Sequence, residues 1–165
     1  MLKLRKNKKG FTLVELIVVI AIMAVLAGTV AGVTVSQLNK QTDKTMATEA
    51  KGIADFISTW IIENNIDLTK ATALTDVKVG TDTLISVLQK QYGEEKVGED
   101  AEAGKTIGVS FVAGVAGEGE TADDAKTKNV IKVEYQGKQS GTKGDVSYTV
   151  NAEGVVAKVT APAGN

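Results

Sequence analysis

Cysteine and histidine are both absent from this 165-residue chain. Without cysteine there is no disulfide framework, no lipid-modified cysteine, no thiolate nucleophile and no cysteine-type zinc site. Without histidine the commonest general base and the commonest metal ligand are gone. The expectation is a protein that is not an enzyme and holds no cofactor or metal. Any exported domain must hold together by packing alone. Basic charge is also scarce outside one place. Residues 1–9 hold five basic residues and no acid, and beyond them 14 basic residues face 20 acidic ones, a balance of −6. An acidic body argues against a nucleic-acid partner, which needs a basic face, and no specific nucleic-acid site is identified.

What is present is unevenly spread. The length allows one modest domain plus an appendage. Much of the 43% hydrophobic content lies in one block. From Phe11 to Val35 only Glu15 is charged. About 20 helical residues cross a bilayer core, so this block is long enough to span. Positive charge before it predicts a cytoplasmic leader and an external body. The helical period continues past the block. Val35, Leu38, Met46, Ile53, Ile57, Trp60 and Ile61 keep roughly one face, while Lys40, Asp43, Lys44, Glu49, Lys51 and Asp55 decorate the rest. The spacing predicts one helix over about 11–63, apolar all round in its first half and amphipathic in its second. Glu63-Asn64-Asn65 is its expected exit.

Residues 66–106 read as a connecting region with a short helix. Asp82 is the expected cap, Leu84, Ile85, Leu88 and Tyr92 the apolar face, and Gly93 the C′ residue. Residues 93–106 read as an acidic loop. The period then changes to two. Ile107/Val109/Phe111, Ile131/Val133/Tyr135, Val146/Tyr148/Val150 and Val155/Ala157/Val159 each alternate with the residues between them, with a turn at Asn151–Gly154. The fold class expected is α+β: a long N-terminal helix whose amphipathic half packs under a roughly four-stranded antiparallel sheet. Phe56 and Trp60 are expected in the core.

The junction of leader and apolar block reads Lys8-Lys9-Gly10-Phe11-Thr12-Leu13-Val14-Glu15-Leu16. This resembles the class III signal of type IV prepilins and pseudopilins: a short basic leader ending in Gly, an aromatic or Met at the new terminus, and Glu at the fifth mature position. The resemblance covers about residues 5–35. It implies cleavage by a prepilin peptidase between Gly10 and Phe11, N-methylation of Phe11, and an assembly role for Glu15. It also implies an inner-membrane platform protein and a cytoplasmic assembly ATPase. Physically, a carboxylate in a membrane segment is costly, on the order of 2.5–3.5 kcal/mol for an Asp at mid-span and less for Glu15 one turn in. The helix N-terminus favours negative charge there. The Phe11 amine released by cleavage is a cationic partner, its own or a neighbour's. In the family the pairing is between subunits. Ala24, Gly28, Gly32 and Ser36 recur every four residues and form a small-residue strip suited to close helix packing. Many members carry Pro where this chain has Gly32.

Val25-Leu26-Ala27 and Thr29-Val30-Ala31 resemble ordinary signal-peptidase sites, but an ordinary signal core rarely holds an acid such as Glu15. Gly104-Lys105-Thr106 lacks the spaced glycine of a phosphate loop. Glu118, Glu120, Asp123 and Asp124 match no EF-hand spacing and read as a solvated acidic loop. The divisions expected are a cleaved leader at 1–10, a membrane and filament-core helix at 11–35, and an extracellular domain at 36–165. The function expected is a structural subunit, a major pilin, of a homopolymeric helical surface filament. It would be stored first as a single-pass precursor in the cytoplasmic membrane. A pseudopilin of a secretion or DNA-uptake system and an anchored extracellular binding module remain as alternatives.

Overall fold

The computed structural model describes residues 10–102, 104–115, 119, 121–139 and 144–159, without the side chains of Ala31, Gly32 and Asp123. The basic leader at 1–9 therefore lies outside the described residues, as do Glu118 and Glu120. The chain divides into two compact units, Met1–Leu38 and Asn39–Asn165. One helix, α1 (Leu13–Glu63), contributes to both. No proline falls within it. It stops where the sequence predicts. Asn65 takes a left-handed backbone (φ 50°), the Asn65 N–H donates to Ile62 O and the Ile66 N–H to Ile61 O. This is a Schellman ending with asparagine in the usual glycine place.

In the Asn39–Asn165 unit, α1 is followed by two 3-10 turns (Leu68–Lys70 and Leu74–Asp76) and a two-residue hairpin, β1 (Lys78–Val79) and β2 (Asp82–Thr83). Next come α2 (Leu84–Tyr92), β3 (Val97–Gly98), β4 (Ile107–Val112), α3 (Ala122–Thr127), β5 (Val130–Tyr135), β6 (Val146–Asn151) and β7 (Val156–Val159). The main sheet runs β3-β4-β5-β6-β7. The α+β class holds, with a fifth strand. β3 is a two-residue edge strand, parallel to β4, in the stretch read as a loop. The core joins Ala50, Ile53, Ala54, Ile57 and Ile61 of α1 to Leu84 and Leu88 of α2 and to the inward residues of β4, β5 and β6.

Val35 and Leu38 are exposed, so the buried stripe of α1 lies in its later turns. Four sequence expectations need correction. Phe56 and Trp60 are only partly buried, because the stripe centres on Ala50, Ile53, Ala54, Ile57 and Ile61 and they flank it. The cap of α2 is Thr83, whose hydroxyl accepts from the Ser86 N–H, while Asp82 lies one residue earlier in β2. The phase of β7 is inverted. Val150 pairs with Val156, so Val156 packs on the core and Val155 is exposed. A one-residue slip moves every side chain of a strand to the other face. Finally, the acidic stretch near 121–127 is a helix rather than a loop. Thr121 and Asp124 close a capping box in which Asp124 Oδ2 accepts from the Thr121 N–H and hydroxyl, both at 2.8 Å.

Asp43 is the largest departure. Read as a solvent-face residue, it is 3% exposed. Its Oδ1 accepts from the Tyr135 hydroxyl at 2.9 Å and the Lys138 N–H at 2.8 Å, and its Oδ2 from the Gln139 side-chain amide at 2.8 Å. Burial opposes ionisation. The Lys138 N–H, the Gln139 amide, the Tyr135 hydroxyl and the Gln139 N–H outweigh it and hold the carboxyl below the ordinary aspartate value. The Tyr135 phenol is pushed up by its burial and by the bond to Asp43. A second buried polar group, Asn129, donates to Leu68 O (2.9 Å) and Ala71 O (3.2 Å) and accepts from the Gly114 N–H (2.9 Å). It ties the first 3-10 turn to the segment leaving β4.

Two outcomes follow from the core and its buried acid. Ile57→Ala should destabilise the Asn39–Asn165 unit by roughly 2–5 kcal/mol, and Trp60→Ala by less than the 3–5 kcal/mol typical of a fully buried ring. Denaturant melts of the two variants in the full-length, detergent-solubilised chain compare them, and a larger loss for Trp60→Ala would place the core elsewhere. Asp43 has a depressed folded value, so its stabilising contribution is complete above the unfolded aspartate value, about 3.9. That contribution is lost as pH falls through the lower folded value. Melting temperature should therefore drop on acidification below about pH 4 more steeply in the wild type than in Asp43→Asn.

Candidate functional site

The N-terminal segment is built around the start of α1. Gly10 and Phe11 precede the first helical turn. Phe11 is 91% exposed, and a β-carbon placed on Gly10 would meet nothing within 4 Å. The bond between them is open to an enzyme. Beyond it, the large apolar side chains from Phe11 to Leu38 are all exposed, from 49% at Val18 upward. The most apolar window of α1 has a mean hydropathy of 2.8 with none of it buried, and the helix is long and apolar enough to cross a membrane. An α-helix suits that environment because its backbone polar groups are satisfied within the segment. The hydroxyls follow the same rule. Thr29 donates to Leu26 O and Thr34 to Val30 O, each at 2.9 Å.

Glu15 sits in the first turn of α1. Its Oε2 accepts from both the Thr12 N–H and the Thr12 hydroxyl at 2.9 Å, and the Thr12 hydroxyl accepts from the Glu15 N–H at 3.2 Å. This is a reciprocal capping box. It satisfies donors that the first helical turn would otherwise leave unpaired, and places the carboxylate at the positive end of the helix. The sequence reading sought a partner for Glu15 in the Phe11 amine and passed over Thr12. The signal was there: Thr-x-x-Glu before an apolar run is the capping-box pattern. Ala24, Gly28, Gly32 and Ser36 fall within α1 at spacings of four and so share one face of it. Nothing lies within 4 Å of a β-carbon built on Gly28. Gly10, Phe11 and Glu15 are close along the chain, and the small-residue strip begins more than two turns further on.

Among the described residues no group of three or more acids could hold a metal ion. A groove of about 810 Å³ lies between the first 3-10 turn, the end of β4 and α3. Its walls are mainly alanine and threonine, with Asn129 fully engaged by backbone partners. Lys70 and Lys126 also line it.

The capping box generates a local test. Thr12→Ala removes the hydroxyl that serves both Glu15 atoms, and loss of an N-cap typically costs about 0.5–2 kcal/mol. Amide exchange of residues 13–16 in detergent micelles should accelerate, with Thr12→Ser close to wild type. Equal protection in Thr12→Ala would show that the box does not hold the helix start.

Residues 5–31 match the family model described as the prokaryotic N-terminal methylation motif. The match spans the end of the basic leader, Gly10-Phe11, the capping box and most of the exposed apolar run. No curated protein and no solved structure matches the chain. The match identifies the N-terminal segment as the class III signal peptide motif of type IV pilins and pseudopilins.

Proposed function

We propose that the chain is a structural subunit, a major pilin, of a type IV pilus-like surface filament. The observation that carries this reading is the methylation motif at 5–31 joined to a helical segment whose large apolar side chains are exposed among the described residues. A helix apolar on every side needs lipid or other helices around it. The precursor is held in the cytoplasmic membrane by residues 11–35. A prepilin peptidase cuts after Gly10 and methylates Phe11. Subunits then leave the membrane through the action of a platform protein and an ATPase, and their N-terminal helices bundle. The strip of Ala24, Gly28, Gly32 and Ser36 lets neighbouring helices approach closely.

Glu15 carries the recognition step. In the precursor its carboxylate is held by Thr12. After cleavage the Phe11 amine of an arriving subunit, mostly protonated at neutral pH, is a stronger partner than the neutral Thr12 donors, because it adds attraction between two opposite charges. The exchange sets the axial register as each subunit joins. A pseudopilin uses the same segment in a shorter assembly, and surface filaments seen by electron microscopy separate it from a pilin.

N-terminal sequencing of the mature chain should begin at Phe11 with a methylated amine. A start at Gly28 or Gly32 would overturn the pilin reading. Glu15→Leu should be cut, stable and membrane-resident, yet yield few filaments in a sheared fraction compared with the whole-cell fraction. Abundant filaments from that variant alone would leave hydrophobic bundling as the sole driver.

A further inference from the structure

Along α1 within the Asn39–Asn165 unit, Asp43 is the first buried side chain, and the next is Ala50, about two turns later. Between them Met46 is at most partly buried. Met46 packs against the core and Glu49 pairs with Lys96 at 3.4 Å, and Asp43 is the one fully buried anchor described in these first turns. We propose that Asp43 is a clamp: it closes residues 39–49 of α1 onto the base of the β5–β6 connection, and the two segments open together, separately from the core, when the clamp is lost.

The opposing surface is built for a carboxylate. Tyr135 ends β5 with its ring buried in the core and its hydroxyl turned to Asp43. Lys138 and Gln139 follow and supply a backbone and a side-chain N–H. Gly144, at the far side of the same connection, has φ +93°, and a β-carbon there would stand 2.5 Å from Asp43 Oδ2. Only glycine allows that backbone to lie so close to the carboxylate. The base of the connection is pinned elsewhere too. The Gly137 N–H donates to Asp145 Oδ1 at 2.6 Å, and the Gly104 N–H donates to Gln136 O at 2.7 Å. The stem of Lys138 lies across Gly104.

Among the described residues, every group hydrogen-bonded to the Asp43 carboxylate is a donor. An asparagine here keeps one oxygen for the Tyr135 hydroxyl and the Lys138 N–H, but sets an NH2 against the Gln139 amide in place of the oxygen that accepted from it. A buried donor without a partner is costly, and water entry is the relief. The segments most able to admit water are those with least apolar anchorage, namely 39–49, where Met46 alone is a partly buried core contact, and 136–139, beyond the buried ring of Tyr135. Core residues from Ile53 to Ile61 keep their packing. The consequence is a local opening, smaller than global unfolding. This clamp does not depend on the filament reading.

Hydrogen exchange by mass spectrometry on the full-length chain in detergent micelles tests it. Asp43→Asn should accelerate exchange by roughly tenfold or more in peptides covering 40–49 and 135–139, with less than about a twofold change over 53–61. Tyr135→Phe keeps the ring and removes one donor, so it should give a smaller rise in the same peptides. If Asp43→Asn unfolds the whole unit, Tyr135→Phe decides the matter. No change in those peptides, or a rise shared equally with 53–61, overturns the clamp.

Discussion

The structure depends on one constraint: a single helix must meet two surroundings that reward opposite surfaces. Over its first half α1 presents apolar side chains on every side, and among the described residues nothing of the chain covers them. Such a segment is tolerable only where its backbone is satisfied internally and its surface meets lipid or like helices. Over its second half the same helix narrows its apolar surface to a stripe that a sheet can cover. Burial therefore begins abruptly along α1, and the residues at that change carry unusual loads. Glu15 is the charged exception in the first half, and Asp43 is the first buried side chain of the second.

Both acids are stabilised without a cation among the contacts described. Glu15 takes the N–H and hydroxyl of Thr12, and Asp43 takes Tyr135, Lys138 and Gln139. Fixed dipoles do the solvating in each case. The two differ in reach. The Thr12–Glu15 box closes over three residues of sequence, so it forms wherever the helix forms. The Asp43 bonds close over more than ninety, so they exist only once β5 and its connection have folded. One is local and caps the helix start. The other is long-range and holds a helix in place.

Much of this was legible in the sequence. The methylation motif and the apolar block are contiguous patterns, and a contiguous pattern needs no partner to be read. The periods of 3.6 and 2 revealed α1 and the four longer strands. Two capping boxes, Thr12-x-x-Glu15 and Thr121-x-x-Asp124, were equally legible and were passed over. The first was eclipsed by the search for a partner charge, and the second by the reading of its acids as a solvated loop.

The tertiary structure alone decided the rest. Val155 and Val156 are both apolar and adjacent, so the pattern of β7 fits either phase. Only pairing with β6 selects Val156 as the inward residue. Val97–Gly98 is too short to show a period, and it becomes a strand because β4 lies beside it. Trp60 is apolar and near the stripe, yet its place at the margin follows from which residues the sheet covers. Asp43 and Asn129 look like surface residues until their donors and acceptors arrive from distant parts of the chain. The sequence by itself determined what each segment is, because side-chain period and local hydrogen bonds act within a few residues. The tertiary structure decided which polar groups are buried and which way an ambiguous strand faces, because those depend on partners far along the chain.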